Sequence, residues 1–388
     1  MKPKETVILG ITGMSHLLVH SQMLVLPTIF LVLQKQFSIG LDTLGLIATA
    51  SAFMLGLGAL PTGYFERKVG GRRLLLTYQI GSAASALIII LSKSIFGITA
   101  GLMLLGLFSS IYHPAGLTLI SRRIPKLSKG MAIHGIFGSI GLALGPLLAS
   151  FFTEIFSWRF AYGTLIVTHL VLSAFTFLLI QSRKAAYEED EVTPSSGKTN
   201  VKALVMYYGI AVLLGFAYTG FTTFIPTHFA YETRTLVGGL SDIMRGGLFT
   251  TLVLIAGIIG QIIGGWAGDK YDKVHLMFWI VLINIPLFAL LGVTTGLPLI
   301  SFGIMLGIAH FSMQPIGNSL IANLTDSKNR GLGYGVSFFM SFGVGSLSAG
   351  LSGWVAEQYS VAMVFPVLAI LLLPGLWIAF RFRKFQSA

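Results

Sequence analysis

Twelve runs of about 20 or more mainly apolar residues follow one another along this chain, each closed by a charged or turn-rich break. A helix needs about 20 such residues to cross the hydrocarbon core of a bilayer. The runs fall at 8–33, 41–65, 73–92, 95–121, 129–153 and 159–181, then at 203–229, 243–268, 274–293, 296–322, 331–356 and 361–381. Their breaks include Glu66-Arg67-Lys68, Arg122-Arg123 with Pro125, Ser157-Trp158-Arg159 and Lys328-Asn329-Arg330. The pattern predicts an all-α membrane protein of twelve transmembrane helices, numbered 1 to 12 below. The first run starts within ten residues of Met1 and is too long for a cleaved leader, so it reads as a retained signal anchor.

Composition points the same way. Of 388 residues, 54% are hydrophobic and 10% charged, where a soluble domain carries about 25% charged residues. A water-soluble fold cannot conceal that much apolar surface. Soluble enzymes, extended DNA binders and disordered scaffolds are excluded. With no cysteine, disulfides, thiolate metal sites and thiol nucleophiles are excluded as well.

The 26 Lys and Arg against 14 Asp and Glu give a net charge of +12, a balance that could suggest nucleic acid. Position decides otherwise. Lys2 and Lys4, the clusters after helices 2, 4, 6, 8 and 10, and Arg381, Arg383 and Lys384 put 21 of the 26 on one side. Lys35, Lys93, Arg159, Arg234 and Arg245 lie on the other. By the positive-inside rule both termini are expected in the cytoplasm. The charge is a topology signal, and no nucleic-acid partner is expected.

One hydrophilic interval, Gln181–Lys202, holds Glu188-Glu189-Asp190-Glu191 and Pro194-Ser195-Ser196-Gly197. It reads as a flexible cytoplasmic linker and divides the chain into a six-helix bundle at 1–182, a linker at 183–202 and a second bundle at 203–388. The bundles are repeats. Gly106 to Pro114 in helix 4 matches Gly307 to Pro315 in helix 10, and Lys129-Gly130 matches Arg330-Gly331, all at an offset of 201. Gly63 pairs with Gly265 at 202, and Pro27 with Pro226 at 199. Parallel six-helix repeats about an axis along the membrane normal are the architecture of a transporter with its site between the halves.

The loop after helix 2, Gly63-Tyr-Phe-Glu-Arg67-Lys68-Val-Gly70-Gly71-Arg72-Arg73, resembles the helix 2–3 signature of the major facilitator superfamily. That resemblance extends over essentially the whole chain. Arg67 stands where the signature has aspartate; the second copy, Gly265-Trp-Ala-Gly-Asp269-Lys270, keeps the aspartate but has Asp272 in place of the later glycine. In the family these loops latch the cytoplasmic side, which makes Gly63, Arg67, Arg72, Gly265, Asp269 and Lys270 gating candidates. Plain positive-inside anchoring explains Arg72 and Arg73 equally well. In helix 5, Gly138-Ser-Ile-Gly141-Leu-Ala-Leu-Gly145-Pro146 resembles the glycine-proline motif of the family's exporters, and adds Gly141, Gly145 and Pro146 to the gating set. Close helix packing accounts for those glycines too. Ser109-Ser110-Ile-Tyr-His113-Pro114 and the histidine-bearing first helix are similar to the fosmidomycin-resistance branch of bacterial efflux carriers. That branch implies a multi-pass protein of the bacterial inner membrane.

The fold implied by the resemblance lines its central cavity with helices 1, 4, 7 and 10. Polar side chains at mid-span are costly against lipid, so they face such a cavity or a neighbouring helix. Helix 1 offers His16 and His20 four residues apart on one face, helix 4 His113, helix 7 Tyr218 and Thr222, and helix 10 His310 and Gln314. These seven are the expected substrate-binding residues. A neutral histidine bonded to a carbonyl is the plainer alternative for any one of them. His134 reads as packing or gating, and His169, His228 and His275 as structural.

None of the fourteen acidic residues lies near the centre of a span. A protonatable cavity group therefore has to be histidine, with His20 best placed and His113 and His310 next. Residue chemistry alone leaves symport and antiport both open. Arg245 could attract an anionic substrate, with interfacial anchoring as its alternative. No ATP-binding loop, nucleophile elbow or His-Glu-x-x-His pair occurs, so neither an enzyme nor a primary pump is expected, and no cofactor or metal. The expectation is a monomeric secondary transporter for a small organic molecule, an exporter driven by proton antiport, with an uptake carrier or facilitator for an organic anion or metabolite as the alternative.

Overall fold

A computed structural model describes residues 3–180, 199–326 and 330–387. Side chains at 3, 63–67, 122, 127–129, 330, 331 and 387 lie outside the description, and so does most of the expected linker.

Among the described residues, twelve helices are long and apolar enough to cross a membrane. Spans 1 to 6 are Lys4–Thr28, Leu41–Thr62, Gly71–Leu91, Ile95–Ser121, Gly130–Ile155 and Trp158–Leu179; spans 7 to 12 are Val201–Glu232, Asp242–Lys270, Lys273–Leu291, Gly296–Leu324, Leu332–Gln358 and Val361–Gln386. Boundaries differ from the sequence expectation where helix continues beyond the bilayer core. The helix of span 2 runs on to Val69, through the charged break that was expected to end it. Chain emerging into the polar headgroup region needs no apolar side chains to stay helical.

Among the described residues four spans are interrupted, three of them beside a proline. Span 1 breaks at Leu24 ahead of Pro27, span 4 after Ser109 ahead of Pro114, and span 10 at Ser312 ahead of Pro315. A proline offers no N–H to the carbonyl four residues back and pushes that carbonyl aside. Span 11 instead widens into a π-helical turn at Phe339–Val344.

Spans 3 and 6 pack together on the periphery of the first bundle, spans 9 and 12 on that of the second. Their outer faces are apolar and bare, as at Leu170, Phe177, Leu178 and Trp377. Such faces suit a lipid surround. The bundles meet along two seams, span 2 against span 11 and span 5 against span 8. In the first seam the Thr49 hydroxyl donates to Ser346 O at 2.9 Å and accepts Gly350 N–H at 2.9 Å. In the second the Thr251 hydroxyl donates to Ala143 O at 2.8 Å.

Candidate functional site

A cavity of about 200 Å³ lies between the bundles. The second bundle builds most of its wall: Tyr207 and Tyr218 from span 7, His310, Gln314 and Asn318 from span 10, and Tyr334, Ser337, Phe338, Ser341 and Phe342 from span 11. Among the described residues that line it, the first bundle contributes His20. The cavity runs from His310 at mid-span to Asn318 and Tyr334 near the face that carries both chain ends, called the terminal face here. Gln314 and Asn318 are exposed inside a spanning helix, which marks the route out. Toward the opposite, outer face the way is shut, with Phe30 and Phe224 fully buried in edge contact at 5.7 Å between ring centres.

Behind His20 stands a cluster of imidazoles. His16 and His134 stack with ring centres 3.9 Å apart and planes 5° from parallel. The ring of His113 meets His16 edge-on at 5.1 Å and His20 at 5.5 Å, and touches Phe338 of the cavity wall at 4.8 Å. Gly138 makes room for this: a Cβ there would lie 2.3 Å from His16 Cε1.

Hydrogen bonding orders the protons. His16 Nδ1 lies 2.7 Å from His134 O, and a carbonyl only accepts, so His16 carries its proton on Nδ1. Its Nε2 is then the acceptor for the N–H of His20 Nε2 at 3.0 Å. This leaves His20 Nδ1 as a bare lone pair, buried and without a partner. On the far wall His310 Nδ1 donates to Asn284 Oδ1 at 3.3 Å, and the ring stacks over Tyr218 at 6.0 Å. Neutral His310 therefore also presents its Nε2 as an acceptor. Nitrogens of His16, His113 and His134 come within 4.8 Å of one another, close enough to share a metal ion. The parallel His16–His134 stack argues against that use, because one ion cannot lie in the planes of two parallel rings.

The site residues expected from sequence are thus only partly gathered. His20, Tyr218, His310 and Gln314 line the cavity; His16 and His113 stand in the cluster behind it; the Thr222 hydroxyl is spent on Tyr218 O of its own helix at 2.9 Å. His134, expected to serve packing or gating, stacks on His16 as a member of the cluster. None of the expected site residues lies in span 11, which forms much of the wall. Its signal was there, in Ser337 and Ser341 four residues apart beside Phe338 and Phe342. Asn284, which orients His310, carried no such signal.

Of the gating set, Gly63 and Arg67 fall among the side chains outside the description. Arg72 donates to Phe177 O at 2.7 Å and lies over the Phe177 ring, joining spans 3 and 6 of one bundle. Gly141 and Gly145 face span 1, where Cβ atoms would lie 2.2 Å from Leu17 O and 2.6 Å from Ser21 O; the Pro146 carbonyl meets Gly247 of span 8. A Cβ at Gly265 would meet nothing within 4 Å. Asp269 is exposed and makes no ion pair among the described residues, while Lys270 lies over the Trp266 ring at 4.4 Å. Arg245 donates to the carbonyls of Leu240 and Ala230 and pairs with Asp242, which ties down the turn between spans 7 and 8.

Two six-helix repeats around a central cavity shut on one side define a membrane transport protein, not an enzyme. The chain belongs to the Major Facilitator Superfamily, whose sequence model matches residues 12–244 and 235–386. It is 23% identical over 387 residues to the fosmidomycin resistance protein of Escherichia coli (strain K12), covering 95% of this chain and 91% of that one. It is 24% identical over 376 residues to a probable sugar efflux transporter of Helicobacter pylori (strain ATCC 700392 / 26695), covering 91% and 89%. Among solved structures it superposes on a bacterial homolog of the human lysosomal transporter Spinster, in an inward-facing and occupied conformation, with a TM-score of 0.82 at 12% identity, covering 99% and 98%.

Proposed function

We propose that this protein exports a small organic molecule across a bacterial inner membrane by alternating access, as a monomer and in exchange for protons. The cavity carries the reading: it opens toward one face, is shut toward the other, and has an imidazole from each bundle on its wall. The 21-to-5 distribution of Lys and Arg favours the cytoplasm for the open face. Export is supported by relatives whose names state resistance and sugar efflux.

Among the described residues no carboxylate lines the cavity, so the proton falls to histidine. Neutral His20 keeps the lone pair of Nδ1 buried in this state; once the bundles rock apart it becomes an acceptor for a substrate O–H or N–H, and a proton on Nδ1 removes that acceptor. Proton and substrate then compete for one atom, which is the requirement for antiport. Aromatic rings and neutral amide and hydroxyl groups on the rest of the wall suit an amphipathic molecule.

A sensitivity screen of cells with and without the protein supplies a probe compound. Its flux is then measured in proteoliposomes under an imposed pH gradient. Movement toward the acidic side is expected, with loss of the pH response in His20→Gln. Accumulation on the alkaline side would mean symport and overturn antiport. A native pH profile in His20→Gln would remove His20 as the proton carrier.

A further inference from the structure

Glu154 and Glu357 occupy the same place in the two repeats, 203 residues apart, close to the 199 to 202 of the other repeat pairs. Each lies in the last turn of its bundle's fifth helix, at the outer face. Each reaches across the seam to the start of the other bundle's second helix. Glu357 Oε2 accepts the backbone N–H of Leu41, the first residue of span 2, at 2.7 Å. Glu154 Oε2 accepts the hydroxyl of Ser241, the N-cap of span 8, at 2.5 Å, and Ser241 Oγ itself accepts Met244 N–H at 3.3 Å. Helix starts expose unpaired N–H groups and the positive end of the macrodipole, so a carboxylate is their natural partner.

One residue explains why the two contacts differ. Where the second bundle has Ser241, the first has Gly40, 201 positions earlier. Serine interposes its hydroxyl, whereas glycine lets the carboxylate approach the backbone directly. A Cβ at Gly40 would stand 3.0 Å from both Cδ and Oε2 of Glu357. The acidic residues native to the two helix starts are occupied elsewhere. Asp242 pairs with Arg234 at 2.7 Å and with Arg245, and Asp42 accepts the N–H of Thr43 at 2.6 Å.

We propose that Glu154 and Glu357 are the paired outer latch of the transport cycle, positioning residues that hold the outer face shut while the cavity opens to the terminal face. The proposal rests on the alternating-access reading. Both contacts cross between bundles, so rocking that opens the outer face has to break them together. Each contributes to the closed state alone, and the twofold relation makes the two contributions multiply.

The cysteine-free chain permits a direct test. Spin labels on Lys35→Cys and Leu236→Cys, exposed outer-face positions in different bundles, report the distance across the outer face in lipid nanodiscs. Glu154→Ala and Glu357→Ala should each raise the ratio of long- to short-distance populations about fivefold, and the double variant about 25-fold. Gln358→Ala, next to Glu357, should leave the ratio at its native value. The native position of the short-distance peak reports that each variant is folded. Two native populations whose ratio none of the glutamate variants changes would refute the latch alone. A single population in every variant would refute alternating access, and the latch with it.

Discussion

Replacing Gly141 by alanine puts a methyl group where spans 1 and 5 leave no room for one. The added Cβ would lie 2.2 Å from Leu17 O and 2.7 Å from Leu17 Cα, where ordinary contact begins at 3.4 Å. The backbones must therefore part by about 1 Å. That motion stretches the hydrogen bond from the Ser21 hydroxyl to Gly141 O, now 2.9 Å, beyond bonding range. Overpacking of this kind costs about 1–3 kcal/mol. The lost hydrogen bond adds about 1 kcal/mol, and the better helix propensity of alanine returns about 1 kcal/mol. A net loss of about 2 kcal/mol follows. Gly265→Ala is the control, since a Cβ there meets nothing within 4 Å. It should be neutral or stabilising by up to about 1 kcal/mol. Equilibrium unfolding in mixed micelles reads both. A Gly141→Ala protein as stable as Gly265→Ala would refute the close-packing account of the helix 5 glycines.

If Asp269 gates the terminal face, as the family resemblance implies, Asp269→Asn should slow transport severalfold with an unchanged unfolding midpoint, since the carboxylate is exposed; native flux in the variant would remove it from that gate. Gln314→Leu, on the open wall of the cavity, should raise the apparent KM for the probe compound about fivefold. An unchanged KM would take Gln314 out of the substrate site. Cysteine at Ser195 should be labelled in inside-out vesicles and protected in intact cells; labelling from outside would overturn the cytoplasmic placement of the interval between the bundles.

The number of spans, the repeat and the family were legible in the sequence because the bilayer selects on local properties. Hydrophobic length, charge at the breaks and glycine-proline spacing are all read along the chain. Individual cavity residues were legible where helical phase carried them, as with His310 and Gln314 on one face of span 10. Phase gives the face of a helix but not the neighbour it meets. That His134 stacks on His16 depends on how near spans 1 and 5 come, which Gly138 allows but does not by itself announce. Span 11 brings Tyr334, Ser337 and Phe338 to the cavity from an α-helical stretch and Ser341 and Phe342 from a wide turn that no proline marks. In the sequence Glu357 is a charge beside a span end, and nothing along the chain names its partner. Only the packing of span 11 against span 2 put its carboxylate 2.7 Å from Leu41 N, 316 residues away in the chain. Local hydrophobicity determined what spans the membrane; which side chains meet was decided by contacts between helices far apart in sequence, where one missing Cβ sets the approach.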